Sequence, residues 1–300
     1  MNGDGRILVT GATGFIGPKI VHALRAAELP VRCLVRDPAR GRQLESWGCE
    51  LTRGDVNDPE SLRAAADGCE RVVHLVAIIQ GKPEQFERVM TQGTENVVAA
   101  AQAADVRRFV LMSALGVNEQ TKEQVPYYRS KWAMEQAVKG SGLEHVIFRP
   151  SFVFGRDGGV LPLFVRQVRW SPIVPILGPG TQRIQPIWVE DVAAYYAAGV
   201  ERPEAANRTF ELGGPDVVDW NELYARIKRL LGKRRPTVHV PFSVARAGAK
   251  VAQILPKPPI TPDQVTMLQG GDNVVSNDEA RQTFGLPLVP LDEQIHCAVA

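Results

Sequence analysis

The stretch Ile7-Leu8-Val9-Thr10-Gly11-Ala12-Thr13-Gly14-Phe15-Ile16-Gly17 decides the fold. It joins a short apolar run to three glycines at three-residue spacing, directly before a segment with helical periodicity. Gly11 permits a tight turn, Gly14 lets backbone N–H groups approach a pyrophosphate, and Gly17 lets the helix pack closely on the strand. The stretch therefore predicts a dinucleotide-binding turn, which Thr13, Phe15 and Ile16 complete.

The rest of the first half repeats this alternation of strand and helix. Near-continuous apolar runs, typical of buried parallel strands, occur at 7–9, 31–35, 72–76 and 109–112. Helical spacing occurs at 15–28, 59–66, 84–104 and 125–140, and Asn57 before Pro59 is a candidate N-cap. Repeated β-α-β units of this kind predict an α/β fold with a Rossmann-type, doubly wound parallel sheet.

The second half has a different texture. Glycine and proline are frequent over 155–180, where we expect loops to dominate. A strand and helix are predicted over 186–200, a strand over 209–212, a helix over 220–231 and a proline-interrupted tail over 256–262. We expect residues 1–154, completed by about 184–214, to form the dinucleotide-binding domain, and 155–183 with 215–300 to form a smaller region that caps the substrate.

Composition restricts the class of protein. Of the 300 residues, 44% are hydrophobic and 23% are charged, as in an average globular protein. With 35 basic and 33 acidic residues, the net charge of +2 does not attract nucleic acid. The cysteines form no C-x-x-C pair and the histidines have no ligand spacing, so we expect neither a metal site nor a disulfide framework. Without a signal-peptide pattern or a long apolar run, we expect a cytoplasmic protein with no transmembrane segment.

The end of the second predicted strand bears on the choice of cofactor. A site for NAD usually places an acid there for the ribose hydroxyls, whereas a 2′-phosphate prefers arginine. In the run Leu34-Val35-Arg36-Asp37, Val35 stands where the acid would lie and Arg36 follows it. This favours NADP(H). The alternative, which leaves NAD(H) open, is that Arg36 is a solvated loop residue and Asp37 takes the role of the acid.

A pair of residues in the 125–140 helix has the spacing of an acid/base site. Tyr127 and Lys131 lie one turn apart on the same helix face, where Lys131 can lower the pKa of the tyrosine and hold a nicotinamide ribose. Ser113, at the end of a predicted strand, has a hydroxyl that can orient a substrate carbonyl. The alternatives are that Tyr127 and Lys131 are surface residues of an amphipathic helix and that Ser113 is a simple turn residue.

Several motifs along residues 6–215 resemble those of the short-chain dehydrogenase/reductase superfamily, of its extended or atypical, NAD-dependent epimerase/dehydratase-like kind. They are Thr10 to Gly17, Gly54-Asp55, His74 to Ala77, Gly93 to Val97, Pro126 to Lys131, Arg149 to Gly155 and Pro186 to Ala193. The resemblance implies cofactor contacts at Asp55, Val56, Val76, Ala77, Pro150 and Val153, in addition to Lys131. The helper asparagine of the superfamily, three residues before its Gly-Thr pair, is replaced here by Met90.

Within the superfamily, the chain resembles the atypical branch that contains the nucleotide-binding accessory subunit of respiratory complex I and its bacterial relatives. The segments that carry this resemblance are Val35 to Pro38, Met112 to Gly116 and Pro259 to Val265. Members of that branch can bind NADPH as a structural element.

Three functions follow as hypotheses. The first is an NADPH-dependent oxidoreductase that moves a hydride to or from a small or moderately lipophilic molecule of the carbonyl or quinone type. The second is a non-catalytic NADPH-binding or redox-sensing subunit of a larger complex. The third is an NAD-dependent sugar-nucleotide epimerase or dehydratase. The segment Val244 to Leu255, in which Arg246 and Lys250 stand among apolar residues, suits a membrane surface, a cover over a lipophilic pocket or a docked helix. Oligomeric state is left open.

Overall fold

The computed structural model describes residues 5–255 and 258–299. The predicted start of the chain (1–4), the first two residues of the predicted tail (256 and 257) and residue 300 lie outside this range. By contacts the described chain divides into two compact units. Of the described residues, unit 1 contains 5–150, 189–212 and 277–287, and unit 2 contains 151–188, 213–255, 258–276 and 288–299.

Unit 1 is built on a seven-stranded sheet in which each pair of neighbouring strands is parallel. Its strands are β1 (Ile7–Thr10), β2 (Val31–Val35), β3 (Glu50–Arg53), β4 (Arg71–His74), β5 (Arg108–Met112), β6 (Glu144–Pro150) and β11 (Arg208–Leu212). Their order across the sheet is β11-β6-β5-β4-β1-β2-β3. This order confirms the predicted Rossmann-type, doubly wound sheet.

The helices of unit 1 connect these strands. They are α1 (Gly17–Ala26), α2 (Arg42–Ser46), α3 (Pro59–Ala66), α4 (Pro83–Phe86), α5 (Gly93–Ala103), α6 (Pro126–Lys139), α8 (Val189–Glu201) and α12 (Asp278–Phe284). One core cluster holds apolar side chains of α3, α5 and α6 against β1, β4 and β5, all of them buried. No described helix of the chain has the length and hydropathy to cross a bilayer.

Unit 2 has short strands and its own core. Its strands are β7 (Val153–Phe154), β8 (Val174–Leu177), β9 (Arg183–Ile184), β10 (Ile187–Trp188), β12 (Val218–Asp219) and β13 (Thr237–Val240). They pair two by two, β10 with β7, β12 with β9 and β13 with β8. Its helices are α7 (Leu161–Trp170), α9 (Trp220–Leu230), α10 (Phe242–Ala252), α11 (Pro262–Gln269) and α13 (Leu291–Val299). Aromatic and aliphatic side chains of α7, α9 and α13 form its core.

Two local predictions were wrong. The cap of α3 is Asp58, whose Oδ1 accepts from the backbone N–H groups of Glu60 and Ser61, whereas Asn57 bonds to Asp55. The segment 155–180 contains α7 and β8 instead of loop alone, because apolar residues at helical spacing bury one face of α7. The helical spacing predicted over 84–104 is confirmed, since α4, a π-helical segment (Glu87–Gln92) and α5 follow one another without a break.

Candidate functional site

The glycine turn, residues 10–17, leaves β1 at the point where the strand order reverses. In open α/β sheets, ligands bind beyond the carboxyl ends of the strands at such a switch point, here between β1 and β4. Gly11 has φ +77°, a conformation that favours glycine. A Cβ on Gly11 would lie 3.0 Å from the backbone of Leu75 and Val76, which follow β4. The turn therefore packs backbone against backbone.

The same turn leaves room on its outer side. A Cβ on Gly17 would overlap the carbonyl oxygen of Gly11 and lie 2.6 Å from that of Ala12, so α1 starts in direct contact with the turn. Gly14 is exposed, and its N–H donates to Gly11 O at 3.1 Å. No side chain caps the N-terminus of α1. Uncapped N–H groups at an accessible helix start fit the pyrophosphate of a dinucleotide. Thr13, Phe15 and Ile16 are half-buried.

At the end of β2, Arg36 and Asp37 are both exposed but differ in their contacts. Asp37 Oδ1 accepts from the backbone N–H of Ala39 at 3.0 Å and caps a short 3₁₀ turn, Pro38–Gly41. A carboxylate used in this way is held against its own backbone. The competing role of Asp37 as the ribose acid is thereby weakened.

The residues after β3 are tied down locally. Asp55 Oδ1 accepts from the backbone and the side-chain amide of Asn57, at 2.9 Å and 2.8 Å. Val56 is buried, and its carbonyl accepts from Asn96 Nδ2 of α5 at 3.0 Å. Asn96 belongs to the Gly93 to Val97 motif, so this motif fixes the loop that carries Asp55. Contact of Asp55 and Val56 with adenine stays a prediction.

His74, at the end of β4, is fully buried in a chain of hydrogen bonds. Thr94 Oγ1 donates to the carbonyl of Met90 at 2.6 Å and therefore accepts from His74 Nε2 at 3.0 Å. His74 Nδ1 then accepts from the hydroxyl of Thr10 at 2.6 Å. Burial, assisted by the charge of Lys131, lowers the pKa of His74 to about 3. The imidazole is neutral and links β1, β4 and α5.

Lys131 is buried on α6, and its ammonium donates to the carbonyl of Met112 at 2.5 Å. Met112 ends β5, so this contact places Lys131 Nζ at the carboxyl edge of the sheet. Burial lowers the pKa of Lys131 to about 7, although the charge of Glu135 opposes this effect. Lys131 is therefore not the solvated surface residue of the alternative interpretation.

Tyr127 precedes Lys131 by one turn and is partly buried. Its ring makes an edge-to-face contact with Phe86 at 6.5 Å and lies 5.9 Å from the ring of Tyr128. Burial, with a smaller effect of Tyr128, raises the pKa of Tyr127 above that of a free tyrosine. This direction is opposite to the lowering that the spacing predicts, so the Tyr127 hydroxyl is kept in its protonated form.

Ser113 follows β5 directly and is buried. Its hydroxyl donates to Glu135 Oε1 at 2.5 Å. A serine hydroxyl has one hydrogen, so while this bond is made Ser113 can accept a hydrogen bond but cannot donate one to a substrate carbonyl. The predicted carbonyl-orienting role needs this correction.

Glu135 is the residue of the site that the sequence prediction missed. It is fully buried and accepts from Arg149 Nε at 2.8 Å and Nη2 at 2.7 Å, a bidentate pair, while Lys139 Nζ lies 3.1 Å away. Burial alone would raise the pKa of Glu135, but the bonds from Arg149 and Ser113 hold it below the ordinary value. The available signal was its position four residues after Lys131, on the same helix face.

The remaining predicted residues fall at three places. Val76 is half-buried and Ala77 exposed, directly after the Gly11 contact at Leu75. Pro150 is buried at the end of β6, where its carbonyl accepts from Leu115 N at 3.0 Å. Val153 belongs to unit 2, in β7, and is half-buried. Cofactor contact at these residues stays a prediction.

Met90, which replaces the helper asparagine, is fully buried in the apolar core of unit 1. It lies in the π-helical segment, which packs against α6. Such segments are frequent at functional sites. The side chain at this position packs with Met134 and Phe86 and offers no group for a proton relay.

A parallel sheet of this order, with an open glycine turn at its switch point, defines a Rossmann-type dinucleotide-binding protein. Residues 11–162 match the family model described as NAD(P)H-binding. The chain therefore belongs to this NAD(P)H-binding family, among the atypical, epimerase-like short-chain dehydrogenases/reductases.

Relatives and solved structures agree with this assignment. The ceramide reductase of Caulobacter vibrioides is 33% identical, over 82% of this chain and 77% of its own. Subunit 9 of the 1 alpha subcomplex of mitochondrial NADH dehydrogenase [ubiquinone] from Arabidopsis thaliana is 30% identical, over 94% and 73%. The structure of the NADPH-dependent quinone oxidoreductase QOR2 of Escherichia coli, solved with NADPH, superposes with a TM-score of 0.79 at 19% identity. The match covers 97% of this chain and 98% of that chain, which shows a common fold.

Proposed function

We propose that this protein is an NADPH-dependent reductase that moves a hydride to a carbonyl or quinone-type small molecule, with Tyr127 as the proton donor. One observation carries the proposal: the buried ammonium of Lys131, bonded to Met112 O at the edge of the sheet, lies one helical turn from Tyr127. Burying an amine is costly, so its retention beside a tyrosine at a cofactor edge favours a chemical role.

NADPH, when bound, supplies the hydride, and the residues of this chain bind, orient and protonate. The N–H groups at the start of α1 hold the pyrophosphate, and Arg36 holds the 2′-phosphate. The raised pKa of Tyr127 keeps its proton available for the oxygen of a reduced substrate. Lys131 donates to the nicotinamide ribose and stabilises the tyrosinate that forms. Ser113, whose hydrogen is held by Glu135, accepts from the hydroxyl of the product.

The substrate class follows from the relatives as a proposal. One is named as a reductase of ceramide, and a structural neighbour as a quinone oxidoreductase. Both names concern oxygen-bearing lipophilic molecules. We therefore propose a lipophilic ketone, aldehyde or quinone as the substrate of this chain.

The test is turnover of Tyr127→Phe, with Tyr128→Phe as the matched control on the same helix. NADPH oxidation is followed against a panel of aldehydes, ketones and quinones. Tyr127→Phe should lower kcat by about 10²- to 10⁴-fold, the range for a positioned acid, and leave NADPH affinity unchanged. Tyr128→Phe should keep most of the activity. Equal activity of Tyr127→Phe and wild type would refute the mechanism.

A second function, that of a non-catalytic NADPH-binding subunit, is favoured by Met90. Its apolar side chain removes the relay position, and the Arabidopsis relative is a respiratory-complex subunit. Under this proposal NADPH raises the melting temperature through its preference for the folded state. The same substrate panel then leaves NADPH unoxidised, which separates this function from the reductase.

A further inference from the structure

Helix α10 of unit 2 presents its bulky apolar residues to solvent. Val244 is 58% exposed, Val251 69%, Ile254 84% and Leu255 51%. Val244, Ala247, Gly248 and Val251 lie on one face of the helix. Ile254 and Leu255 lie in the turn that follows it. We call this set the exposed face of α10. In an ordinary surface helix such a face is turned toward the core.

The opposite side of α10 holds the helix in this orientation. Ala249 is buried there, and Ala245 and Ala252 are half-buried. Arg246 Nη2 donates to Gln269 Oε1 of α11 at 2.7 Å. At the start of the helix, a Cβ on Gly178 would overlap the ring of Phe242, so this ring lies against the end of β8. Small residues, one ring and the hydrogen bonds of Arg246 to Thr266 and Gln269 of α11 fix the inner side, so the larger aliphatic side chains lie outside.

The charge of this part of the chain is one-sided. Between Glu222 and Asp263 the sequence contains no acidic residue, although acids and bases are nearly balanced over the whole chain, 33 against 35. Lys233 and Arg234 are exposed just before β13, whose four residues, about 13 Å in length, lead into α10. Lys250 is exposed on α10 itself. One exposed basic group therefore lies on α10 itself, and two more lie about one strand length before it.

We infer that the exposed face of α10 lies in the interface of an anionic lipid bilayer, parallel to its plane. An amphipathic helix with aliphatic residues on one face and Lys or Arg beside them binds such an interface through apolar burial and attraction to lipid headgroups. The cores of protein interfaces are enriched in aromatic residues and methionine and depleted of lysine. The exposed face contains only Val, Ile, Leu, Ala and Gly, with Lys250 beside it.

The position of Arg246 supports a preformed surface. Because its guanidinium is bonded to α11, the helix needs no refolding to present Val251 and Ile254. The inference concerns residues of unit 2 alone and does not depend on the proposed reductase activity.

The test is co-sedimentation of the full chain with vesicles. One set is phosphatidylcholine alone and the other is an equimolar mixture of phosphatidylcholine and phosphatidylglycerol. Wild type should bind the anionic set and be released as salt is raised. The double variant Val251→Asp/Ile254→Asp should bind at least about tenfold more weakly, because it places charge on the inserted face. Lys250→Glu should weaken binding to the anionic set.

Val217→Asp is the matched control, since Val217 is an exposed apolar residue of unit 2 outside the basic stretch, at 44%. It should bind the anionic vesicles as wild type does. Thermal unfolding of each variant checks that the fold is retained. Wild type left in the supernatant with anionic vesicles, or equal binding by the double variant, would overturn the inference. So would a wild-type dimer that the double variant converts to a monomer without any vesicle binding, which would make the face a contact between two copies.

Discussion

The glycine turn and the face of α6 that carries Tyr127, Lys131 and Glu135 are both signalled by short motifs, but different physics holds them in place. In the turn, backbone atoms are packed against one another, so the space left for a side chain limits which residues fit. The overlap of a Cβ on Gly17 with Gly11 O shows this. On α6, ionisable side chains are buried and the limiting quantity is charge pairing. The atoms that restrict Gly17, Gly11 O and Ala12 O, belong to the same turn, whereas the bidentate partner of Glu135, Arg149, comes from β6.

This difference predicts that the two regions respond differently to substitution. A side chain added to the turn meets rigid atoms, so its effect is steric and local. Removal of the Glu135 carboxylate takes the bidentate partner from Arg149 and the hydrogen-bond acceptor from Ser113, so its effect spreads to both. Substitutions that alter only the steric packing of the turn, and others that remove only a charge from α6, therefore test the comparison directly.

The largest effect is expected for Glu135→Ala. Removal of the carboxylate leaves Arg149, whose side chain is only 17% exposed, without its bidentate partner. Breaking a buried pair in this way costs about 3–5 kcal/mol of unfolding free energy. Urea denaturation measures it. Glu123→Ala is the control, because Glu123 and Arg129 form an exposed pair at 3.2 Å, and its cost should be below about 1 kcal/mol. Equal costs for the two variants would show that burial of the α6 charges is unimportant.

Much of unit 1 could be predicted from the sequence. The strands at 31–35 and near 7–10 and the helix at 59–66 follow from apolar runs and from Pro59, because local periodicity reports burial directly. The role of Ser113 could not be predicted in the same way. Its hydroxyl is directed by Glu135, and Glu135 is held by Arg149 of β6, a contact that only the folded sheet brings about.

Unit 2 was harder to predict because its signals conflict. Glycine and proline over 155–180 indicated loop, yet α7 forms there with Pro162 in its first turn, a position where proline is tolerated. The exposed face of α10 has the periodicity of a buried one, and the side on which it lies depends on contacts of Arg246 and Phe242 outside the helix. Periodicity predicts which residues share a helix face, but not whether that face is buried or exposed.

The next largest effect is expected from steric overlap in the glycine turn. Gly17→Ala should lower the unfolding free energy by about 3 kcal/mol, at the upper end of overpacking costs, because backbone oxygens cannot move away from the new Cβ. It should also weaken NADPH binding. Gly14→Ala is the matched control in the same turn: its Cβ would lie 3.3 Å from Gly11 O, so it should cost less stability than Gly17→Ala while NADPH affinity falls. Urea denaturation and calorimetric titration with NADPH distinguish the two. Unchanged stability of Gly17→Ala would refute the steric argument.

A smaller effect should appear in the pH dependence of stability. The folded-state pKa of His74, about 3, lies below the ordinary value of 6.5, so the unfolded chain binds the extra proton. Stability from this group is complete above pH 6.5 and is lost as the pH falls toward 3. At pH 5 the loss is about 2 kcal/mol, from roughly 1.4 kcal/mol per pKa unit.

The variant His74→Asn should remove this pH dependence and keep polar groups near Thr10 and Thr94. Urea denaturation at pH 7 and pH 5 measures the difference for each protein. His22→Asn replaces an exposed histidine that packs on Trp47, and it should keep the wild-type loss. If His74→Asn and wild type lost the same free energy between the two pH values, the buried neutral imidazole would not be the cause.

The smallest effect tests whether charge also acts at the end of β2, the strand that pairs with β1. If Arg36 holds the 2′-phosphate, Arg36→Ala should weaken NADPH binding by about tenfold, or 1.4 kcal/mol, and leave NADH affinity unchanged, since only NADPH carries that phosphate. The exposed Arg63 of α3 is the control, and Arg63→Ala should change neither affinity. Fluorescence titration of wild type and both variants with each nucleotide gives the six dissociation constants. If wild type bound NADPH and NADH with equal affinity, Arg36 would not select the cofactor. Asp37 would then be the candidate acid for the ribose hydroxyls. Because Asp37 already caps its own 3₁₀ turn, such a site would have to break the bond to Ala39 N.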